Sequence, residues 1–242
     1  MSVAHHLTQV RERIQDACAR SGRDPAGVTL VCVTKTVPPE TIRQAIALGV
    51  RDLGENRVQE ARGKAAALRS AGPQPLRWHL IGHLQRNKAK LAAELFDVIH
   101  SVDSEELAAE LDRQATKRVT GGEWQVAGQP LGVFIQVNIS GESTKSGCQP
   151  EEAEALARYV AEQPSLRLAG FMTIAPFADD PEQARPHFRR LRLLRDSLNL
   201  KLETFNLKLL LSMGMSHDFE VAIEEGADLI RVGTAIFGHR PA

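Results

Sequence analysis

Hydrophobic positions along this chain switch repeatedly between a helical and a strand period. Ala4 to Arg20 place Leu7, Val10, Ile14 and Cys18 at three- and four-residue spacing, which predicts an amphipathic helix. Ser21-Gly22-Arg23-Asp24-Pro25 ends it. Val28 to Thr34 is a continuous apolar, β-branched run, the composition of a strand buried on both faces, and Lys35 follows it directly. A helix from Pro39 comes next, with Ile42, Ala45 and Ile46 on one face and Gly49 as its stop.

The alternation continues to the end of the chain. Val50–Gly54, Trp78–Gly82 and Asp97–Val102 read as strands two to four. The helices after them carry Val58, Ala61 and Leu68, run from Asn87 to Phe96, and run from Ser104 to Lys117. Asp103 and Glu106 have capping-box spacing at the start of the last of these. Val119 to Pro130 reads as a loop insertion. Leu131–Asn138 and Leu166–Ile174 are strands five and six, separated by a helix that Pro150 opens and that runs through Tyr159 and Val160. A helix over about Pro181 to Leu198 contains Pro186, which should bend or shorten it. Asn206–Leu211 is the seventh strand, Phe219–Glu225 a helix, Asp228–Val232 the eighth strand, and a final helix begins near Thr234.

Eight buried strands alternating with helices in 242 residues predict an α/β fold, a (β/α)8 TIM barrel forming one domain over residues 1–242. The competing fold, an open doubly wound sheet, usually places a glycine-rich phosphate loop after its first strand; here Lys35 stands there.

Thirty basic residues offset thirty acidic ones, so no global field draws in nucleic acid or an anionic membrane, and any anion site must be local. Cys18, Cys32 and Cys148 are few, odd in number and widely spaced, which argues against a disulfide framework or a zinc site and fits a reducing compartment. No signal-peptide core or membrane-length apolar run is present, so a cytoplasmic protein is expected.

In a barrel of this kind chemistry collects after the strands. Lys35 is a cation at the end of strand one, a position equally compatible with simple snorkelling into water. Two loops qualify as a phosphate site: Ser212-Met213-Gly214-Met215-Ser216 after strand seven, and Gly233-Thr234 after strand eight. Glycines there allow close backbone approach, and Ser212, Ser216 and Thr234 carry hydroxyls, although turn glycines and helix caps have the same composition. A partly desolvated lysine condenses readily with an aldehyde, and pyridoxal 5′-phosphate has both an aldehyde and a phosphate. Arg231, beside Gly233, can reach the cofactor's ring nitrogen or point outward, since alternation permits either face. At the nitrogen, a permanent cation only donates, which keeps the nitrogen unprotonated and weakens the ring as an electron sink.

These residues belong to recognisable motifs. Val31–Lys35, Gly54–Glu60, Trp78–Lys88, Asn138–Ser140 with Lys145–Gly147, Leu211–Ser216 and Arg231–Gly238 together resemble the pyridoxal phosphate homeostasis protein family over nearly the whole chain. The departures, Val119–Pro130 and Pro186, lie away from the motif loops. The resemblance implies a barrel similar to the barrel domain of alanine racemase, the fold type III pyridoxal phosphate proteins. It implies the cofactor as a Schiff base on Lys35, phosphate contacts from Ser212, Gly233 and Thr234, and Arg231 at the ring nitrogen. It also implies a role in cofactor buffering and delivery with no established turnover. Asn56 and His79 are expected to contact the ring or line the cavity.

Two enzymatic readings compete. An amino-acid racemase on the same cofactor is expected to need a second, β-rich domain supplying a tyrosine base. The chain stops soon after strand eight and its one tyrosine, Tyr159, falls in an outer helix. His83, His217 and Lys88 are the other candidate bases. A cofactor-free Schiff-base aldolase would use Lys35 directly on a sugar-phosphate carbonyl. Lys145 and Arg86-Asn87-Lys88 read either as a docking surface for client apo-enzymes or as a solvated face. A monomer with a solvent-open site is expected.

Overall fold

Eight parallel strands close on themselves in the order of the sequence in this computed structural model, which describes residues 2–68, 71–72, 74–118, 129–142, 145–202 and 208–238. The strands are β1 (Thr29–Val33), β2 (Asp52–Glu55), β3 (Arg77–Leu80), β4 (Val98–Val102), β5 (Leu131–Gln136), β6 (Leu166–Met172), β7 (Leu210–Met215) and β8 (Leu229–Val232). Pairing of β8 with β1, from Thr29 opposite Leu229 to Cys32 opposite Val232, seals the ring. The expected TIM barrel is therefore the observed fold.

The helices are α1 (Val3–Ser21), α2 (Pro39–Ala47), α3 (Val58–Leu68), α4 (Ala89–Leu95), α5 (Glu105–Arg118), α6 (Ala153–Ala161), α7 (Arg185–Lys201), α8 (Phe219–Glu224) and α9 (Thr234–Phe237). The opening helix buries Leu7, Val10, Ile14 and Cys18, the stripe its period predicts. Gly22, at φ 66°, closes it in the left-handed conformation that glycine adopts without penalty. Among the described residues no helix is long and apolar enough to cross a membrane.

Strand alternation divides the apolar residues into two sets. Cys32, Leu53, Leu80, Ile99, Leu211 and Ile230 join the helices in the main core. Val31, Phe134, Ala169, Met172 and Leu229 form a separate, smaller cluster in the barrel interior. Full burial of each large side chain contributes about 1.5–3 kcal/mol. The interior cluster is too small to fill the barrel, and buried polar groups occupy the rest: His79, His100, Ser212 and Arg231.

Several boundaries differ from the sequence-based expectation for physical reasons. The seventh strand runs from Leu210 to Met215, later than Asn206–Leu211, whose residues 206 and 207 lie outside the described ones. Its register against β8 shifts between Ser212 and Met215, a bulge in which Gly214 takes φ 90°. A glycine that reads as loop in the sequence is thus inside the strand. Pro186 does not bend its helix: a 3-10 turn over Pro181–Ala184 precedes α7, and Pro186 sits in the first helical turn, where no intrahelical donor is lost. The helix α5 is capped by Ser104, whose hydroxyl accepts from Leu107 N at 3.4 Å, in place of the Asp103–Glu106 box. Of the Val119–Pro130 insertion, residues 119–128 lie outside the described residues.

Candidate functional site

Lys35 stands where β1's interior row, Val31 and Val33, leaves the barrel at the carboxyl ends of the strands. The turn that presents it is held from behind. Lys64 Nζ, from α3, donates to Thr34 O at 2.5 Å, to Glu55 Oε1 at 2.8 Å and to Glu60 Oε1 at 2.6 Å. The Thr34 hydroxyl donates to the same Glu55 oxygen at 2.6 Å, and Thr36 N donates to Glu60 Oε1 at 2.5 Å. Thr36 has φ 59°, a conformation costing a β-branched residue on the order of 1–2 kcal/mol, so this clamp maintains a strained turn. Burial pushes the Glu55 carboxyl up, opposed by Lys64 and Thr34. Burial likewise acts upward on Glu60, but Lys64, Thr36 and Arg57 outweigh it and leave that carboxyl low.

A cavity of about 250 Å³ lies beside Lys35 and is bordered by Asn56, Ser216, Arg231, Gly233 and Thr234. Five of the six sequence-predicted site residues are thereby brought together. Arg231 points inward: it is only 4 % exposed, which decides between the two faces left open by alternation. Its Nη1 donates to Ser212 Oγ at 2.6 Å and its Nη2 to Thr173 O at 2.8 Å. Burial lowers the guanidinium to about 10, with Asp218 acting against the fall, so it stays charged at neutral pH.

Ser212 is the exception. It is fully buried in β7 below the cavity, its hydroxyl engaged by Arg231 and by His100 Nδ1 at 2.8 Å, and it does not border the cavity. The bulge at Gly214 lets Ser216 take the anion-facing place. Ser216 Oγ accepts from Gly233 N and Ala235 N, both at 3.2 Å, and so gathers a hydroxyl and two backbone donors at one edge. Asp218 fixes this segment by accepting from Met215 N at 2.6 Å. Burial raises the Asp218 carboxyl, against the pull of the Met215 bond and Arg231.

His79 also departs from expectation. It is 2 % exposed and sits in the barrel interior, its Nε2 2.9 Å from Asp52 Oδ1 and its Nδ1 2.9 Å from His100 Nε2. Neither His79 nor His100 borders the cavity. His100 was not singled out in the sequence, although its interior place follows from alternation with Val98 in β4. Asn56 does line the cavity and is shared with an adjoining cleft of about 330 Å³ that includes His83 and Lys145. Gly82 makes that meeting of loops possible, since a Cβ there would collide with Asn56 backbone.

One cavity thus gathers an amine, a fixed cationic donor and the hydroxyls and glycine of an anion-binding edge. Comparison with known proteins is consistent along the whole chain. The family model for the alanine racemase N-terminal domain matches residues 5–241. The chain is 45% identical over 241 residues to the pyridoxal phosphate homeostasis protein of Aquifex aeolicus, covering 99% of each. It superposes on the structure of PipY from Synechococcus elongatus PCC7942 with PLP bound, with a TM-score of 0.81, 36% identity and coverage of 98% of this chain and 100% of that one. Alanine racemase from Clostridium difficile 630, in complex with cycloserine, matches with a TM-score of 0.66 at 16% identity over 60% of its length, a likeness of fold alone.

Proposed function

The chain belongs to the pyridoxal phosphate homeostasis protein family, and on that premise we propose that it holds pyridoxal 5′-phosphate reversibly on Lys35 as a one-domain cofactor buffer in the cytoplasm. The relation to PipY, whose structure contains the cofactor, supports the reading. The observation that carries it is that one cavity gathers Lys35, Arg231 and the Ser216, Gly233 and Thr234 edge, the chemistry that an aldehyde, a ring nitrogen and a phosphate call for.

When bound, the cofactor supplies an aldehyde that condenses with an amine, forming a carbon–nitrogen double bond and releasing water. Lys35 provides the amine, held at the rim by the Lys64–Glu60–Glu55 clamp. The hydroxyls of Ser216 and Thr234 would receive the phosphate, with Gly233 allowing close approach, while Gly233 N and Ala235 N hold the Ser216 oxygen in place. Ser212, expected at the phosphate, is reassigned to support of Arg231. Arg231 would face the ring nitrogen as a donor, and it keeps its proton at neutral pH. That would hold the nitrogen unprotonated and weaken the ring as an electron sink. Tyr159 lies in α6, packed against the outer core, and does not border the cavity. Holding and release without turnover, with delivery to client apo-enzymes, is the function this arrangement suits.

Titration of the purified protein with pyridoxal phosphate tests this. A visible band that saturates at one equivalent and shows no spectral change over hours with a panel of amino acids is expected. Conversion of an L-amino acid to its D-enantiomer at ordinary enzymatic rates would replace the carrier with the racemase.

A further inference from the structure

A line of side chains crosses the barrel interior from its base to the floor of the cavity. Arg77 pairs with Asp52 at 2.8 Å; Asp52 meets His79, His79 meets His100, His100 meets Ser212, and Ser212 meets Arg231, each at 2.6–2.9 Å. His79, His100, Ser212 and Arg231 are each no more than 4 % exposed, so water does not supply alternatives. Phe134 stacks on His100, ring centroids 4.7 Å apart, and fixes its plane.

Donor and acceptor counting leaves this line one arrangement when both histidines are neutral. Asp52 is ionised and can only accept, so His79 carries its proton on Nε2. His79 Nδ1 then accepts, which requires His100 to donate from Nε2. His100 Nδ1 in turn accepts from the Ser212 hydroxyl, and the Ser212 oxygen is left to accept from Arg231. Every bond runs the same way, from the cation at the cavity floor to the carboxylate at the base. The opposite order would set an unprotonated His79 Nε2 against the Asp52 carboxylate and leave the Ser212 proton without an acceptor. A chain satisfied throughout in low dielectric rigidifies its members and is disrupted as a whole when one link is lost.

We propose that Asp52, His79, His100 and Ser212 form a unidirectional hydrogen-bond relay whose role is to position Arg231, so that residues at the barrel's base act on the ring-nitrogen end of the cofactor site. They are positioning residues; Arg231 alone among them borders the cavity. The proposal rests on the cofactor reading above and extends it to residues remote from the cavity. Asp52 stays charged because the hydrogen bond from His79 and the Arg77 guanidinium outweigh the upward effect of burial, and burial, the largest effect, together with the Arg231 charge holds His100 well below its ordinary value.

Two measurements test it together. In protein labelled with nitrogen-15 in histidine and free of cofactor, His79 and His100 are expected to be neutral with the proton on Nε2. A proton on His100 Nδ1 at neutral pH overturns the relay, whatever the protein binds. Pyridoxal phosphate is then titrated into the wild type, Ser212→Ala, Asp52→Leu and Asp52→Asn, following the visible band. Ser212→Ala and the remote Asp52→Leu are expected to move the band in the same direction and weaken binding about tenfold. Asp52→Asn, which keeps an acceptor for His79, should recover most of both. Folded variants with unchanged band and affinity reduce the line to packing and overturn the positioning role. A wild type that gains no band refutes the cofactor reading and with it that role, while the tautomers still decide the direction of the line.

Discussion

Arg231 Nη1 donates to the Ser212 hydroxyl over 2.6 Å, and this bond ties the cavity floor to the interior of the barrel. Arg231→Lys keeps the charge but loses the planar fork that serves Ser212 and Thr173 together. Each buried acceptor left without a donor costs about 1–3 kcal/mol. Arg231→Lys should therefore lose about 2–4 kcal/mol in urea unfolding and bind pyridoxal phosphate at least tenfold more weakly in a spectroscopic titration.

The Lys64–Glu55 pair under the Lys35 turn has side-chain exposures of 9% and 0%, so neither partner can be rescued by water. Lys64→Met leaves Glu55 as an uncompensated buried charge and should cost about 3–5 kcal/mol. The double change Lys64→Met with Glu55→Gln removes that charge and should recover part of the loss. Equilibrium denaturation of both variants checks the order.

Stability should fall on acidification from a pH higher than carboxylates alone would set. His100 is held well below its ordinary value of 6.5 chiefly by burial. The unfolded chain binds this proton first, so the contribution is complete above pH 6.5 and is lost as pH falls towards the depressed folded value. Asp52, lowered from 3.8, adds a second loss at more acid pH. One such proton gives a slope of about 1.4 kcal/mol per pH unit. His100→Phe should flatten the segment just below pH 6.5 in a series of denaturant midpoints; an unchanged slope there would remove His100 from this role.

Gly214, at φ 90°, is needed for the bulge that separates Ser212 from Ser216. An added Cβ would lie 2.5 Å from Ala222 Cβ and 3.0 Å from Phe219 Cα. Gly214→Ala combines backbone strain with overlap and should cost about 2–4 kcal/mol, with weakened cofactor binding as the anion edge shifts. Calorimetry with and without pyridoxal phosphate measures both effects.

Most of the architecture was legible in the sequence because parallel strands buried on both faces are continuous apolar runs, and helices between them carry a separate period. That Lys35, Asn56, Arg231, Gly233 and Thr234 gather around one cavity was legible because each lies within two residues of the carboxyl end of a strand. Ser212 was misplaced because Gly214 reads as a loop residue, whereas a bulge carries the strand past it. His79 and His100 were obscured for a different reason. Their partners lie 21 to 112 residues apart in sequence, and only closure of the barrel brings Asp52, His100 and Ser212 into one line. The Pro186 turn shows the same limit locally, since moving the helix start from about Pro181 to Arg185 converts a disruptive proline into a compatible one.

The central claim, that Lys35 carries the cofactor, is tested most directly by borohydride reduction of the pyridoxal phosphate-loaded protein followed by peptide mapping with mass spectrometry. The pyridoxyl adduct is expected on the peptide containing Lys35 in stoichiometric yield, and Lys35→Ala should show neither the adduct nor the visible band. An adduct concentrated on another lysine, or a Lys35→Ala protein that retains the full reducible band, would contradict the account.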